Sequence, residues 1–292
     1  MRWATYASVA TALTLFLAKS GAWFMTGSLA ILASLVDSLM DMAASAINMI
    51  AIHYSLKSPD KEFKFGYGKA EPLAGLVQAS FITGSAVFLI FQAVERLASP
   101  QPVQDLGSGI WVILFAIGLT GILILFQRFV IKHTGSTAIK ADALHYTTDI
   151  LTNTATLVAL LLIRKGYHFI DSVFAIGIAL YILYSAKGIA VEAMHLLLDR
   201  ELSPEIRKQI ITIAGSPSEV IGVHDLRTRQ SGQIKLIQLH LELSAHMPLE
   251  EAHALAKKVE FEIHAFLPDA DIIIHQDPRT PPPASAEPSA PI

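Results

Sequence analysis

Residues 141–153, ADALHYTTDILTN, place two ionisable side chains, His145 and Asp149, at the front of a long apolar run. Residues four apart in a helix lie on the same face. A second pair with this spacing, Asp37 and Asp41, lies inside another apolar run, ILASLVDSLMDMAASAINMI. Burying one carboxylate near the middle of a bilayer costs upward of about 2.5 kcal/mol. Ionisable groups at these positions therefore need a partner that compensates their charge.

Two interpretations account for these acids. Three carboxylates and one imidazole that face each other offer oxygen and nitrogen donors to a divalent cation. The predicted ligands are Asp37, Asp41, His145 and Asp149. Alternatively, each acid faces a water-filled cavity or hydrogen-bonds a neighbour such as Thr148, Thr152 or Asn153. Because intramembrane charges are functional by default, we favour a cation or proton pathway.

The composition favours a membrane protein. The chain has 292 residues, of which 52% are hydrophobic and 16% are charged, and its mean hydropathy is +0.48. Soluble domains contain about 25% charged residues. The net charge of −3 argues against a nucleic-acid partner. The absence of cysteine excludes disulfides, thiolate metal ligands and cysteine nucleophiles.

Six apolar runs are long enough for the roughly 20 residues that a bilayer-spanning helix needs. They occupy residues 4–25, 29–53, 73–97, 109–131, 137–163 and 172–194. The first run is longer than the roughly 7–15 apolar residues of a signal peptide and has no convincing cleavage site. We therefore predict a multi-pass protein with six transmembrane helices in residues 1–200. Lys19, near the far end of the first run, has a stem that could snorkel toward the membrane surface.

The basic residues of the loops predict the orientation. With the N-terminus inside, the inner loops contain seven, namely Lys57, Lys61, Lys64, Lys69, Arg128, Lys132 and Lys140. The outer loops contain three, namely Arg96, Arg164 and Lys165. Because cytoplasmic loops are enriched in lysine and arginine, both termini are predicted to be cytoplasmic.

Residues 201–278 have the pattern of a small soluble domain. A helix at residues 204–214 begins with Ser203 as N-cap and proline at its first position. Two alternating strands, at 220–230 and 235–245, are joined at Ser231 and Gly232. An amphipathic helix at 249–267 and a strand at 271–277 complete the order αββαβ. This order predicts a cytosolic two-layer α/β domain.

The last residues and the histidines of this domain lead to two further predictions. Residues 279–292, RTPPPASAEPSAPI, cannot bury apolar area and are predicted to be a disordered tail. The soluble domain contains six histidines: His224, His240, His246, His253, His264 and His275. His275 and Asp277, two apart on a strand, point to the same side. This pattern has two interpretations: the histidines form a second metal cluster, or they are ordinary surface or packed residues.

Several motifs together resemble the cation diffusion facilitator family. The motifs are DSLMD in the second helix, ALHYTTD in the fifth, and HDLRTRQSG and IIIHQDP in the soluble domain, so the likeness covers about residues 5–278. It implies a homodimeric, proton-coupled exporter of divalent cations that works by alternating access in the inner membrane of a bacterial cell. It also implies a metallochaperone-like fold for the cytosolic domain.

The resemblance also implies roles for particular residues. The transport site between helices two and five corresponds to Asp37, Asp41, His145 and Asp149. A binuclear cytosolic site corresponds to His224, His240, His253, His275 and Asp277. Lys69 and Asp199 correspond to a pair that interlocks the two protomers near the membrane surface.

One loop departs from the family pattern. Relatives have a further metal site before the GKAE motif, made from one aspartate and two histidines. Here Asp60 is present, but Phe63 and Tyr67 stand where the imidazoles would be. A phenol titrates near pH 10, so Tyr67 is a poor zinc ligand at neutral pH. The loop is therefore predicted to bind no metal.

The favoured function is an antiporter that exchanges a divalent cation for protons, because metal binding requires deprotonated ligands. One histidine among three aspartates favours Zn²⁺, although Cd²⁺, Fe²⁺, Mn²⁺ and Co²⁺ also suit such donors. An intramembrane metalloenzyme is disfavoured because no HExxH motif is present. The remaining alternative is a membrane-anchored metal sensor or scaffold that does not transport.

Overall fold

The computed structural model describes residues 1–26, 29–98, 110–163 and 170–279, in two compact units, Met1–Leu197 and Leu198–Ile292. Two earlier predictions fall on residues outside these ranges. Arg164 and Lys165, which contribute to the predicted orientation, lie outside the described residues, and so do residues 280–292 of the predicted tail.

The described residues of the first unit form six long helices, whose ends agree with the predicted apolar runs to within three residues. They are α1 (Arg2–Thr26), α2 (Leu29–Ser55), α3 (Ala70–Ala98), α4 (Ile110–Thr134), α5 (Thr137–Ile163) and α6 (Ile170–Leu197). At 1.5 Å per residue, the shortest is roughly 37 Å long, which exceeds a hydrocarbon core of about 30 Å.

The helix that contains His145 and Asp149 differs from the other five. Among the described residues, α1, α2, α3, α4 and α6 are long and apolar enough to cross a membrane. Helix α5 is of similar length, but it also contains Lys140 and Asp142. It contacts each of the other five helices. A helix surrounded by protein needs less apolar surface than one that faces lipid, so the polar character of α5 fits its central position.

Alanine repeated every seven residues brings α3 and α6 together. Ala79, Ala86 and Ala93 on α3 and Ala179, Ala186 and Ala193 on α6 are all at most 2% exposed. Small side chains let the backbones of membrane helices approach closely. On the outer face of α3, Phe81, Phe88 and Phe91 are exposed. Large exposed apolar side chains of this kind suit contact with acyl chains rather than with water.

The start of α5 is fixed by three neighbours. The Ser136 hydroxyl accepts a hydrogen bond from the Ile139 amide at 3.2 Å, as an N-cap does. A carboxylate oxygen of buried Glu71, on α3, accepts one from the Thr137 amide at 3.1 Å. A Cβ at Gly75 would lie 3.2 Å from the Thr137 carbonyl, so glycine permits this close approach. These contacts anchor α5 about two turns before His145.

A buried polar network ties α5 to three more helices. The Asp142 carboxylate accepts hydrogen bonds from Ser8 Oγ on α1 at 2.6 Å, Gln78 Nε2 on α3 at 3.2 Å and Gln127 Nε2 on α4 at 2.7 Å. All four side chains are buried. Leaving a buried donor without its acceptor costs about 1–3 kcal/mol. The network therefore fixes the position of α5 one turn before His145.

The second unit has the predicted order αββαβ. Its elements are α7 (Pro204–Ala214), β1 (Gly222–Ser231), β2 (Ile234–Ser244), α8 (Leu249–Phe266) and β3 (Ala270–Arg279). Ser203 caps α7 as predicted, accepting from the Ile206 amide at 3.5 Å. The turn between β1 and β2 contains Gly232 at φ 62°, a conformation that favours glycine. In the sheet, β2 lies between antiparallel β1 and parallel β3.

The two faces of this sheet differ in polarity and burial. Ile237, Leu239, Leu241 and Leu243 of β2 are buried, as their alternation predicts, and they pack with residues of α7 and α8. The opposite face of β2 presents Gln238, His240 and Glu242. Phe266, at the end of α8, is 41% exposed. One prediction is corrected here. Arg279, expected in the tail, ends β3 and pairs with Ser244.

Candidate metal centres

Polar contacts form a seam between α2 and α5. Asn48 Nδ2 donates to the Ala138 carbonyl at 3.4 Å. The hydroxyls of Ser45 and Tyr146 are hydrogen-bonded at 2.8 Å. Residues 41, 45 and 48 lie on one face of α2, because they are spaced by four and three residues. Ser45 meets Tyr146 whereas Asn48, further along α2, meets Ala138, earlier in α5, so the two helices are antiparallel. His145 contacts Asp41 in the same seam.

Three of the predicted intramembrane ligands meet at this seam. His145 Nε2 lies 2.9 Å from Asp41 Oδ1 and 3.9 Å from Asp149 Oδ2. One ligand atom from each residue lies within 4.8 Å of the other two. Bonds of about 2.0–2.1 Å in a tetrahedral zinc site place neighbouring donors roughly 3.3 Å apart. The observed distances bracket this value, so small side-chain movements would suffice to hold an ion.

The fourth predicted ligand lies apart from this group. Asp37 is one helical turn before Asp41 on α2, but its side chain is exposed, and it does not belong to the close-set group of Asp41, His145 and Asp149. Its Cβ is expected about 5–6 Å from that of Asp41, as for any pair four residues apart in a helix. Asp37 is therefore near enough to join the site by a change of rotamer.

Lys19, on α1, contacts α2. Its ammonium group donates to the Ser38 hydroxyl at 2.6 Å and to the Ser34 carbonyl at 3.1 Å, both on α2. These bonds attach Lys19 to the helix that contains Asp37 and Asp41, and the snorkelling of its stem stays a prediction.

The second unit aligns three histidines in one row across its sheet. His224 of β1 pairs with His240 of β2, and His240 pairs with His275 of β3. The ring centroids are 5.1 Å apart in the first pair and 4.7 Å in the second. All three lie on the face opposite the core, since His240 alternates with buried Leu239 and Leu241.

Asp277 contacts all three imidazoles. Its Oδ2 lies 2.8 Å from His240 Nδ1 and 3.1 Å from His224 Nε2, and its Oδ1 lies 3.0 Å from His275 Nε2. The hydrogen bond with His240 holds the pKa of Asp277 below its usual range. An ionised carboxylate with converging imidazole nitrogens is a donor set that fits Zn²⁺. The use of both oxygens also suits a carboxylate that bridges two ions.

Glu242 lies beside this cluster and was not identified from the sequence. Its Oε1 is 3.8 Å from His224 Nε2, and its Oε2 accepts a hydrogen bond from Arg279 at 2.8 Å. It lies opposite Asp277 in the sheet register. A Cβ at Gly222 would approach Glu242 Oε2 to 2.8 Å, so glycine leaves room for this carboxylate. The signal was present in the alternation of β2, where Glu242 follows His240 by two residues.

The remaining histidine of the predicted set is placed differently. His253 is exposed on α8, and it is not in the close-set group of His224, His240 and Asp277 within the described chain. His246 and His264, which were not predicted as ligands, are also exposed. The structure therefore brings together four of the five predicted cytosolic ligands within one chain.

The predicted interlock residues lie in different units. Lys69 Nζ donates to the Leu197 carbonyl at 3.1 Å in the first unit. In the second unit, Asp199 Oδ2 accepts from the Arg229 guanidinium at 3.1 Å. Asp199 also has a positive φ of 57°, uncommon for a residue other than glycine. The interlock between protomers stays a prediction.

Asp60 is held by its own loop. One oxygen accepts hydrogen bonds from the Tyr67 hydroxyl at 2.6 Å and from Lys57 at 2.9 Å. The other accepts from the backbone amides of Glu62 and Phe63 at 3.1 and 2.9 Å. The Tyr67 hydroxyl makes the largest contribution to holding the pKa of Asp60 well below its usual range. Tyr67, at a position where the family resemblance implies an imidazole, thus donates a hydrogen bond to Asp60.

We expect Asp60→Ala to leave the number of bound ions and the rate of flux nearly unchanged, because donors of the loop already surround the carboxylate. Equilibrium dialysis with radioactive zinc on the full-length chain checks this, with Lys57→Ala as a matched loop variant. Loss of one full site's worth of zinc in Asp60→Ala alone would show that the loop recruits other ligands, such as His53 or Glu62.

The six membrane helices define a multi-pass membrane protein. The group of Asp41, His145 and Asp149 and the cluster around Asp277 are its candidate metal centres, one in each unit. Residues 5–198 match the cation efflux transmembrane domain, and residues 202–279 match the cytoplasmic domain of cation efflux proteins. The chain belongs to the cation efflux family, also called the cation diffusion facilitators, as its motifs predicted.

Individual relatives give the same result. The cation-efflux pump FieF of Yersinia enterocolitica is 53% identical over 264 residues, covering 90% of this chain and 88% of that protein. FieF of Yersinia pestis (strain Pestoides F) is 52% identical over 280 residues, covering 95% and 93%. A solved structure of CzrB in a zinc form is 32% identical, covers 27% of this chain and 92% of that chain, and has a TM-score of 0.25. The relatives are named as pumps, which confirms the prediction that this chain is not an enzyme.

Proposed function

We propose that this protein is a proton-coupled antiporter that exports divalent metal cations, Zn²⁺ first among them, from the cytoplasm by alternating access. The observation that supports it most directly is the group of Asp41, His145 and Asp149, whose ligand atoms lie within 4.8 Å of one another between membrane helices. Relatives that are more than half identical are named cation-efflux pumps. Asp37 is proposed as the fourth ligand, one turn from Asp41.

The proposed ligands themselves couple the metal to protons. A metal ion binds carboxylates and imidazole only when they are deprotonated, so loading releases protons and protonation releases the metal. The contact of His145 with Asp41 at 2.9 Å suits a pair that shares a proton when no ion is bound. Two access states of one such site are sufficient for exchange, and no separate proton pathway is required.

The donor set fits Zn²⁺, which we propose as the physiological cargo. Imidazole is a ligand that zinc shares with other first-row metals, whereas carboxylate oxygens also accept harder ions. Cd²⁺, Fe²⁺, Mn²⁺ and Co²⁺ are therefore further proposed substrates. Selectivity among them depends on the geometry of the loaded site and on their availability in the cell.

The cytosolic centre is proposed to hold structural Zn²⁺. His224, His240, His275 and Asp277 supply nitrogen and oxygen donors in one patch of the sheet, and His253 is the proposed fifth ligand. Its bound ions would stabilise a homodimer, with Lys69 and Asp199 as the proposed interlock. We propose residues 1–200 as the transport domain, 201–278 as the cytosolic domain and 279–292 as a disordered tail. Both termini are proposed to be cytoplasmic, in the inner membrane of a bacterial cell.

The second candidate is a membrane-anchored metal sensor or scaffold, which the cytosolic cluster alone would support. It assigns no task to the group of Asp41, His145 and Asp149, which lies between membrane helices and is costly to bury. A sensor would bind metal without moving it. Flux therefore separates the two candidates.

Proteoliposomes test the proposal. With Zn²⁺ outside, a zinc dye inside and a pH dye inside, we expect zinc to enter while protons leave, so that the internal pH rises together with zinc uptake. An imposed acidic interior should speed uptake, and abolishing that imposed pH gradient with an ionophore should slow it again. The His145→Ala variant serves as the control for leak through the lipid. Zinc uptake without a matching pH change would indicate a uniporter or channel, and no uptake would favour the sensor.

A further inference from the structure

Lys19 places an ammonium group beside the proposed transport site. It lies on α1, within a span that is long and apolar enough to cross a membrane. Its Nζ donates to Ser38 Oγ at 2.6 Å and to the Ser34 carbonyl at 3.1 Å, so two of its three N–H donors have partners on α2. Ser38 is buried. Burying a charged amine in a bilayer is costly, as it is for a carboxylate.

The anchoring serines bring this charge next to the acids of α2. Asp37 follows Ser34 by three residues, and Asp41 follows Ser38 by three. Residues three apart in a helix are neighbours, with Cβ atoms about 5–6 Å apart. The ammonium group is thus close to the acids without being paired directly to one of them by a described hydrogen bond.

We propose that Lys19 is a fixed counter-charge of the transport site, which compensates its carboxylates when no metal is bound and lowers its affinity for divalent cations. The inference rests on the proposed function of the same site. The two hydrogen bonds to α2 keep the ammonium group beside the ligands, so it lowers the affinity for divalent cations in every transport cycle.

The physical basis is that electrostatic repulsion scales with the charge of the bound ion. A fixed positive charge opposes a divalent cation twice as strongly as it opposes a proton at the same distance. In a poor dielectric this difference is larger than in water. At the pair of Asp41 and His145, which is proposed to share one proton when no ion is bound, one divalent cation displaces one proton, and Lys19 therefore shifts the competition toward the proton. An exporter benefits, because an ion that binds too tightly is released slowly.

Replacement by an uncharged side chain of similar length tests the proposal. We expect Lys19→Met to bind Cd²⁺ at least tenfold more tightly, and to transport Zn²⁺ with a lower KM and a lower maximal rate. Lys19→Arg, which keeps the charge, should stay close to the wild type, and Lys19→Gln should behave like Lys19→Met. Tighter binding is a result that a damaged fold does not produce.

Binding is measured by equilibrium dialysis with radioactive Cd²⁺ on the full-length chain in nanodiscs at constant pH. All variants are made in a background with Asp277→Ala and His240→Ala, so that the cytosolic centre does not contribute to the binding curve. Ser38→Ala removes the 2.6 Å hydrogen bond from Lys19 but retains the charge of Lys19. Its affinity for Cd²⁺ should therefore fall between those of the wild type and Lys19→Met.

Asp149→Ala in the same background distinguishes two kinds of failure. If it leaves Cd²⁺ binding intact, the assignment of the transport site is wrong. If it abolishes binding while Lys19→Met and Lys19→Gln bind Cd²⁺ as the wild type does, or more weakly, the site stands and the counter-charge role of Lys19 is overturned.

Discussion

Asp149→Ala is expected to reduce Zn²⁺ flux in proteoliposomes by at least about 100-fold. The carboxylate lies 3.9 Å from His145 Nε2, in the group that also contains Asp41. Changes to residues that merely support a metal ligand already cost about 10–100-fold in affinity or activity, so loss of a ligand should reach at least the upper end. The initial rate of zinc entry, read with an internal dye, measures the effect.

A carboxylate elsewhere in the same unit provides the control. Glu95→Ala removes one exposed acid from α3 and should transport at the wild-type rate. Asp37→Ala should also lose flux if Asp37 joins the site as its fourth ligand. Retention of flux in Asp37→Ala together with its loss in Asp149→Ala would restrict the site to Asp41, His145 and Asp149. Wild-type flux in Asp149→Ala would contradict the site itself.

Much of the fold could be predicted because its signals are local. A bilayer imposes a minimum length on each helix, so six apolar runs predict six helices with ends accurate to within three residues. In the soluble domain, the alternation of Leu239, His240 and Leu241 predicts a strand with two different faces. The spacing of His145 and Asp149 predicts that they share a helix face, and the structure places them 3.9 Å apart.

Other features depend on which residues of different helices meet. Asp142 precedes His145 by only three residues, but its partners, Ser8, Gln78 and Gln127, come from three other helices. No periodicity within α5 indicates these contacts. The same limit applies to Lys19, since its length allows either snorkelling or a bond to α2. The register that aligns His224 with His240 likewise depends on the irregularity of β1 between residues 224 and 227.

The contrast between Asp37 and Asp41 shows the same limit within one motif. Both are aspartates of the DSLMD motif on the same face of α2, and the sequence offers no reason to expect that only one of them contacts His145. The structure separates them because the antiparallel seam places Asp41 opposite His145, whereas Asp37 is exposed one turn away. Pairing across helices, rather than residue type, therefore decides which acids contact the imidazole.

Asp277→Ala is expected to remove zinc from the cytosolic centre. Its carboxylate is within 3.1 Å of a nitrogen on each of His224, His240 and His275, so its loss deprives the centre of its shared donor. Equilibrium dialysis of the full-length chain should show at least one fewer ion per chain. An ion present at 100 times its Kd stabilises a folded protein by about 2.7 kcal/mol. Added Zn²⁺ should therefore raise the Tm of the cytosolic unfolding transition in the wild type and much less in Asp277→Ala.

Two further variants complete this test. His275→Ala removes one nitrogen contact and leaves the His224–Asp277 and His240–Asp277 contacts in place. It should therefore lower the number of bound ions and loosen the dimer, but both effects should be smaller than in Asp277→Ala. His264→Ala removes an exposed histidine of α8 outside the cluster and should behave as the wild type. Dimer mass is followed by sedimentation with and without chelator. If Asp277→Ala retains all its zinc and a chelator-sensitive dimer, the ions lie elsewhere, and the row of histidines is not a metal centre.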